Sequence, residues 1–458
     1  MLLEGWLQRA AAERPGHTAI QTPAGSWSYA ELLAAAERGA AELEDRGVRP
    51  GDRVAIGLPA GLEFAQALHA CLLHGAVAVP VDLRLSARER AHVTASAACV
   101  LESPLGPAGG SERERSLSPR AGHDSEATAV VIHTSGTTSA PRPIELSYGN
   151  LLWSALGSAV ALGLDEGERW LCTLPLSHVG GLSILVRSAI YRTTAVVHER
   201  FDTERALAGL LEQEITLVSL VATTLRRLLD AGLTDPPRLR AALTGGGSVP
   251  AALVQRARAA GVPVSLTYGL TEACSQVTTT PAAEARGSHL AAGAPLFCTS
   301  VRTDSSKDLE PGVGEILVRG PTVARSALAA DGWLHTGDVG RLDEHGRLAV
   351  TGRRAETIVS GGENVAPAEV EAVLEAHPGV LEAAALGVAD EQWGEIVTAI
   401  VVARPGAILE GGELRTHCAL TLAGYKVPKR VTLVAGPLPR TPSGKLLRRE
   451  LRGIWDEL

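Results

Sequence analysis

The chain has 458 residues, which exceeds the size of one ordinary domain and predicts two or three. Its apolar content of 45% and net charge of −8 fit a globular protein, and the lack of a basic excess argues against a nucleic-acid partner. The most apolar long stretch, residues 64–81, contains Gln66, His69, His74 and Pro80. It therefore predicts a core helix and strand rather than a membrane span.

The six cysteines are scattered and include no Cys-x-x-Cys pair. This pattern predicts free thiols in a reducing compartment, rather than a zinc site or a disulfide framework. The N-terminus has no charged segment followed by an apolar one, the pattern that a signal peptide shows. We therefore expect a cytoplasmic protein, whose assembly as a monomer or a homo-oligomer the sequence leaves open.

The first part of the chain alternates strand and helix patterns. Residues 53–58 predict a buried strand, residues 62–73 a helix, and residues 76–81 the next strand. This order is typical of a parallel sheet that is covered by helices. Residues 215–229 predict a second strand and helix, and residues 314–319 predict a strand of a smaller β-rich region.

A domain boundary is predicted near Gly352. Beyond it, residues 368–376 form an amphipathic helical pattern, and residues 380–388 and 395–402 form strand patterns. These elements predict a compact α+β unit of roughly 100 residues, a typical domain size. The predicted domains are residues 1–351 and residues 352–458.

A hydroxyl-rich segment follows the apolar run at residues 129–132. A buried strand that ends in such a loop offers N–H groups and hydroxyls to phosphate, although a plain turn would look the same. The loop residues are Thr134, Ser135, Gly136, Thr137 and Thr138. Further motifs follow in a fixed order: residues 174–178 (LPLSH), 244–247 (TGGG), 268–272 (YGLTE), 336–338 (TGD), 352–353 (GR), 360–364 (SGGEN) and 439–445 (PRTPSGK).

This ordered series resembles the acyl-adenylate-forming ligases, which include acyl-CoA synthetases, luciferases and the adenylation domains of peptide synthetases. The resemblance runs from about Trp6 to Arg449, and residues 174–187 are most similar to the o-succinylbenzoate–CoA ligases of menaquinone biosynthesis. It implies an AMP-forming acid–thiol ligase that uses ATP, Mg²⁺ and coenzyme A on a small carboxylate. The implied fold is α/β. The resemblance implies a large N-terminal domain of βαβ-built sheets with a β-rich subdomain. It also implies a small mobile α+β C-terminal domain that carries the catalytic lysine.

The resemblance assigns the residue 134–138 loop and Arg142 to the triphosphate. The family pattern continues Gly-x-Pro-Lys-Gly, whereas this chain has Ser139, Ala140, Pro141, Arg142 and Pro143. Arginine lacks the compact ammonium of lysine, and proline removes a backbone donor. We therefore expect a stiffer loop that closes more slowly.

Three residues of the 268–272 motif have assigned roles. The resemblance places the Tyr268 ring near adenine, the Thr271 hydroxyl on the α-phosphate, and the Glu272 carboxylate on Mg²⁺. A hydroxyl donor and a hard oxygen ligand suit these tasks. Without the rest of the series, a simple turn after a strand would explain the same residues.

The remaining nucleotide contacts are predicted from glycines and one ion pair. Gly245, Gly246 and Gly247 either let the backbone approach adenine or form a plain turn. Asp338, with help from Arg353, is assigned to the ribose hydroxyls; alone, an Asp after Gly would be a turn or cap residue.

Catalysis is assigned chiefly to Lys445, whose flexible ammonium reaches both the substrate carboxylate and the α-phosphate. Thr271, Glu272 and His178 complete the predicted catalytic set. A solvated basic tail is the alternative for Lys445. At the hinge, this chain has Ala355 where the family has Asp or Lys.

The predicted acyl pocket contains His178, Gly181, Ser183 and Arg187. Arg187 lies in an apolar stretch, where a charge is costly unless it is paired. A second carboxylate on the substrate would pair with it, and an internal Asp or Glu is the alternative. Two other functions stay open: a CoA ligase for another aryl or fatty acid, and a non-catalytic nucleotide-binding homologue.

Overall fold

The computed structural model describes residues 1–106, 122–134, 142–305, 312–353, 356–360, 363–391, 393–441 and 446–456. Six residues with predicted roles lie outside these ranges: Ser135, Gly136, Thr137 and Thr138 of the predicted phosphate loop, the predicted hinge residue Ala355 and the predicted catalytic residue Lys445. Within them the helices are α1 (Trp6–Glu13), α2 (Tyr29–Asp45), α3 (Leu62–His74), α4 (Ala87–Thr94), α5 (Tyr148–Leu162), α6 (Val179–Tyr191), α7 (Thr203–Glu212), α8 (Ala222–Asp230), α9 (Ala251–Ala259), α10 (Pro367–Glu375), α11 (Gly411–Ala419) and α12 (Arg448–Asp456).

The strands of the first 300 residues are β1 (Leu2–Leu3), β2 (Thr18–Thr22), β3 (Gly25–Ser28), β4 (Arg53–Ile56), β5 (Val77–Pro80), β6 (Cys99–Leu101), β7 (His123–Asp124), β8 (Thr128–Thr134), β9 (Arg142–Ser147), β10 (Arg169–Cys172), β11 (Thr194–Val197), β12 (Leu217–Leu220), β13 (Ala241–Thr244), β14 (Val264–Leu270), β15 (Ser275–Thr279) and β16 (Ala294–Pro295). The later strands are β17 (Ser300–Ser305), β18 (Gly314–Arg319), β19 (Leu334–Leu342), β20 (Leu348–Arg353), β21 (Ile358–Ser360), β22 (Glu363–Val365), β23 (Val380–Asp390), β24 (Gly394–Ala403) and β25 (Arg430–Val434).

Two largely parallel sheets form the body of the protein. One has the order β6-β4-β5-β8-β9, and the other has the order β16-β15-β14-β13-β12-β10-β11-β2-β3. The predicted strand, helix and strand between residues 53 and 81 are confirmed as β4, α3 and β5, and β4 pairs with β5 in parallel. The predicted α/β class is confirmed.

The two sheets share one apolar core, which includes helices packed between them. Helix α3 is apolar on nearly every side, and its residues from Phe64 to Leu72 are buried. It ends at Gly75, whose φ of 81° is the left-handed conformation typical of a helix C-cap. Leu32 of α2, Leu68 of α3 and Leu182 of α6 belong to the same core. This shared core fixes the two sheets relative to each other.

The predicted strand at residues 314–319 is confirmed as β18, in the four-stranded antiparallel sheet β17-β18-β19-β20. The C-terminal part contains a separate five-stranded sheet of order β22-β21-β24-β23, in which β25 also pairs with β24. The predicted helix at residues 368–376 is α10, and the two predicted strands are β23 and β24. The predicted boundary near Gly352 falls at the end of β20 and stays a prediction.

Within the described ranges, no helix combines the length and apolar character needed to cross a membrane.

Candidate active site

A cavity of about 1060 Å³ opens where the strands of both sheets end. Asp82 follows β5, Thr173 follows β10, Val221 follows β12, Gly245 follows β13 and Thr271 follows β14, and all five line the cavity. Ligands of parallel α/β sheets bind at the carboxyl ends of the strands, because neighbouring loops diverge there. The order of the strands alone therefore places a cavity at this edge of the two sheets.

Most of the predicted site residues in the described ranges meet at this cavity: Thr134, Arg142, His178, Gly181, Arg187, Gly245, Gly246, Thr271, Glu272 and Arg353. Four others in those ranges do not line it: Ser183, Gly247, Tyr268 and Asp338. The Ser183 side chain is buried, and its hydroxyl donates a hydrogen bond of 3.3 Å to the Gly180 carbonyl oxygen. It thus stabilises the first turn of α6 rather than facing the cavity.

The cavity wall is strongly basic, although the whole chain carries a net charge of −8. Three described carboxylates line it: Asp82, Glu199 and Glu272. Seven described arginines line it: Arg84, Arg142, Arg187, Arg200, Arg227, Arg353 and Arg440. A cleft lined by one sign of charge concentrates ligands of the opposite sign. The cavity is therefore suited to polyanions such as nucleotide phosphates and carboxylates.

Asp338 contacts the cavity-wall residue Arg353, and both of its carboxylate oxygens already accept a hydrogen bond. The Tyr268 hydroxyl donates to Oδ2 at 2.7 Å, and Arg353 Nε donates to Oδ1 at 3.0 Å. Burial and the Asp338 carboxylate raise the pKa of Tyr268 well above its usual value. Tyr268 thus stays protonated and remains a donor. The predicted ribose-binding acid is held in one orientation from two sides.

Arg187 is the most deeply buried charge of the cavity wall, with 2% of the residue exposed. Its Nη2 donates to the Ser154 hydroxyl at 2.9 Å, and its guanidinium carbon lies 5.7 Å from the centre of the Trp170 ring. Burial lowers the pKa of Arg187, because the charged form loses hydration. The helix α6, which follows the 174–178 motif, carries it into the wall.

Among the residues that the structure describes, Arg187 has no acidic partner of the kind that a buried guanidinium requires. Within the described ranges no carboxylate lies at ion-pair distance from it, and its Nε has no hydrogen-bond partner. The alternative that Arg187 pairs with an internal Asp or Glu is therefore wrong for these ranges. A buried cation without an anion is unfavourable, and a ligand anion would remove that penalty.

The cavity also contains a polar group that sequence reasoning missed. Asp82 accepts bonds from Arg84 Nε at 2.8 Å and Arg84 Nη2 at 2.6 Å, and His178 Nε2 lies 3.8 Å from its Oδ2. Burial acts to raise the pKa of Asp82, but the bonds from Arg84 outweigh it and hold that pKa below its usual value. The sequence position of Asp82 could have identified it as a site residue, because it comes directly after the predicted strand at residues 76–81.

Two glycines at the cavity are required by the packing of the protein itself. A Cβ on Gly245 would lie 2.5 Å from the Thr267 carbonyl oxygen, and one on Gly181 would lie 2.5 Å from that of Pro175. Gly246 has a φ of 78°, which also favours glycine. Neighbouring strand and loop backbone thus explain these glycines without a bound nucleotide.

Thr271 and Glu272 lie side by side in the wall, in a short 3₁₀ turn that follows β14. The described residues contain no group of three or more His, Cys, Asp and Glu placed to hold a metal. Mg²⁺ typically binds to one or two carboxylates together with substrate phosphates, so Glu272 fits an ion that arrives with a nucleotide.

The arms of the predicted phosphate loop are β8 and β9, which pair in an antiparallel manner. Thr134 is the last residue of β8, Arg142 is the first residue of β9, and both line the cavity. Pro143 lies within β9, at the edge of its sheet, where the missing N–H of proline is tolerated.

A family model described as AMP-binding enzyme matches residues 7–103 and 100–327. The model of the AMP-binding enzyme C-terminal domain matches residues 369–445. This chain belongs to the AMP-binding enzyme family. The resemblance to acyl-adenylate-forming ligases and the predicted class of AMP-forming acid–thiol ligase are therefore confirmed.

Similar proteins span nearly the whole of this family member. It is 37% identical over 475 residues to a 2-succinylbenzoate–CoA ligase of Bacillus subtilis (strain 168), with 98% of this chain and 97% of that protein covered. An o-succinylbenzoate CoA synthetase from Bacillus subtilis, solved with its acyl-adenylate intermediate, has a TM-score of 0.89 at 35% identity and 99% and 98% coverage. The structure of that synthetase with ATP and magnesium ion has a TM-score of 0.88 at 35% identity, with 99% and 100% coverage.

Proposed function

We propose that this protein is a 2-succinylbenzoate–CoA ligase. One carboxylate of the substrate attacks the α-phosphorus of ATP, and pyrophosphate leaves. The thiol of coenzyme A then attacks the acyl carbon, and AMP leaves with formation of 2-succinylbenzoyl-CoA. The observation that carries this choice of substrate is Arg187, a buried cavity-wall cation without a carboxylate partner in the described ranges.

The distribution of charge supports the nucleotide half of the proposal. The phosphates of ATP carry several negative charges, and the described part of the cavity wall presents seven arginines against three carboxylates. Thr271 supplies a hydroxyl donor, and Glu272 would hold the Mg²⁺ that accompanies ATP. Positioning of the reactants and neutralisation of their charge provide most of the rate enhancement in such transfers. The residues of the cavity wall are suited to both tasks. Lys445 is proposed as the catalytic cation, on its sequence motif alone.

The buried guanidinium supports the choice of acid. 2-Succinylbenzoate has two carboxylates, and only one is activated. The other matches the charge and planar shape of a guanidinium, which binds carboxylates through two parallel hydrogen bonds. A monocarboxylate whose only acid group reacts with ATP would leave Arg187 without an anion. This comparison disfavours a fatty or simple aryl acid.

The proposal includes two further expectations. The protein acts in the cytoplasm, where ATP and coenzyme A are available, and its product serves menaquinone biosynthesis, as the resemblance to o-succinylbenzoate–CoA ligases implies. Neither expectation depends on the oligomeric state.

The test is a pyrophosphate-release assay on the purified full-length protein, with and without coenzyme A. The panel contains 2-succinylbenzoate, benzoate, 4-phenylbutyrate and octanoate. We expect 2-succinylbenzoate to give the highest kcat/KM. A higher value for a monocarboxylate would refute the assignment, and no release with any acid would favour the non-catalytic alternative.

A further inference from the structure

The C-terminal part of the chain contributes Arg440 and Thr441 to the cavity wall. These two residues directly precede the segment that carries Lys445. Arg440 also forms an isolated antiparallel bridge with Leu446, so the two ends of that segment are joined. The position of Arg440 is therefore coupled to that of Leu446, the residue that follows Lys445.

Arg440 is fixed by a carboxylate of strand β23. Its Nη2 lies 2.9 Å and its Nε 3.2 Å from Oε2 of Glu382. Both side chains are largely shielded, with 24% and 16% exposed. Glu382 therefore holds the guanidinium of Arg440 next to strand β23.

The segment around Glu382 is itself anchored to the other part of the protein, on helix α8. Arg226 of α8 donates from Nη1 to the Leu381 carbonyl oxygen at 2.6 Å, and from Nη2 to Glu375 Oε2 at 3.0 Å. The Arg226 and Glu375 side chains are 16% and 12% exposed. The Ala383 N–H donates to the second oxygen of Glu375 at 3.4 Å. Residues 381–383 are thus held on both sides of Glu382.

Helix α8 also belongs to the cavity, since Thr223 and Thr224 of its first turn line the wall. One helix therefore shapes the site with its first turn and holds the C-terminal sheet with Arg226. We propose that Arg226 is a positioning residue for adenylate formation, because it fixes residues 381–383 on α8 and so places Arg440 in the wall. This inference rests on the proposed function only for the choice of assay acid.

The test compares Arg226→Ala, Glu382→Gln and the double variant. Arg256→Ala is the matched control, because Arg256 pairs with Asp230 at the end of the same helix, and both side chains are about half exposed (45% and 46%). Three properties are measured: the rate of adenylate formation, the rate of thioester formation from presynthesised acyl-adenylate, and backbone hydrogen exchange at residues 438–441.

Arg226→Ala is expected to slow adenylate formation roughly 2- to 30-fold, which corresponds to the range of about 0.5–2 kcal/mol for mutations along a coupling network. Exchange at residues 438–441 should become faster. Thioester formation should change little, because the resemblance implies that the C-terminal part leaves this orientation for that step. Arg226→Lys should restore part of the adenylation rate, because lysine keeps the charge but not both bonds. The double variant should be no slower than the slower single variant, since both act through residue 440.

Unchanged exchange at residues 438–441 in Arg226→Ala would overturn the inference, as would equal losses in both half-reactions with a lower Tm. If 2-succinylbenzoate is not the substrate, the best acid of the panel replaces it. If no acid is adenylated, the exchange measurement needs no substrate and still decides whether Arg226 places Arg440.

Discussion

Asp338 and Arg187 are two buried charged side chains that differ in how many hydrogen-bond partners the protein gives them. Asp338 is 7% exposed, and both carboxylate oxygens already accept a bond, from Tyr268 and from Arg353. Arg187 is 2% exposed, and within the described ranges its guanidinium donates only to the Ser154 hydroxyl. A guanidinium has five N–H donors, and the one on Nε of Arg187 is buried with no hydrogen-bond partner in the described part of the chain. We infer from this comparison that the proposed nucleotide-binding residue is preorganised by the protein, whereas the proposed acyl-binding residue would be paired only by a charge on the ligand.

The largest expected effect is that of Arg187→Ala on the dicarboxylate. If Arg187 binds the non-reacting carboxylate, its loss strands that charge in a partly apolar pocket, at a cost of about 2–5 kcal/mol. This corresponds to a decrease in kcat/KM of roughly 30- to several-thousand-fold. Steady-state pyrophosphate release measures the effect, and the KM for ATP serves as the internal control.

The same variant also tests whether Arg187 is structural. We expect the Tm of Arg187→Ala without ligand to equal or exceed that of the wild type, because a buried, unpaired cation contributes little stability. A fall of many degrees in Tm would indicate that Arg187 supports the fold, and the contrast with Asp338 would fail.

Asp338→Ala should give the next largest effect, at the nucleotide end. Hydrogen bonds to a charged group contribute about 1.5–3 kcal/mol, so the Kd for ATP should rise roughly 10- to 150-fold. Calorimetric titration with ATP measures the change, and Asp338→Asn controls for the loss of volume. An unaltered Kd would remove the proposed ribose role.

Tyr268→Phe should give the smallest effect, because it removes one hydroxyl and keeps the ring. Asp338 then loses one of its two orienting partners, and a net hydrogen bond is worth about 1 kcal/mol. The Kd for ATP should rise about 5-fold. Tighter ATP binding would show instead that the tyrosine hydroxyl competes with the ribose, and that Asp338 is blocked rather than preorganised.

Much of the fold could be predicted from local patterns. The predicted strand at residues 314–319 has the same bounds as β18. The strands and helix between residues 53 and 81 differ from the prediction by at most two residues at either end. Continuous apolar runs with a short amphipathic or buried helix between them are typical of parallel sheets, so the signal is strong.

The site was predictable as a set of motifs but not as a set of contacts. The hydrogen bond from Tyr268 to Asp338 joins residues 70 positions apart, and that from Arg226 to Leu381 joins residues 155 apart. Sequence patterns of short period contain no information on such pairs. The apolar surroundings of Arg187 predicted its burial, but only the fold shows that its neighbour among the described hydrogen-bonding groups is Ser154 rather than an acid.

The most direct test of the central claim compares two enzymes and two acids. Pyrophosphate release is measured for the wild type and Arg187→Ala, each with 2-succinylbenzoate and with its analogue whose non-reacting carboxylate is a neutral amide. We predict that the substitution lowers kcat/KM at least 30-fold for the diacid, in line with a cost of about 2 kcal/mol or more, and less than about 3-fold for the amide. Equal losses for the two acids would show that Arg187 does not bind the second carboxylate, and would contradict the account.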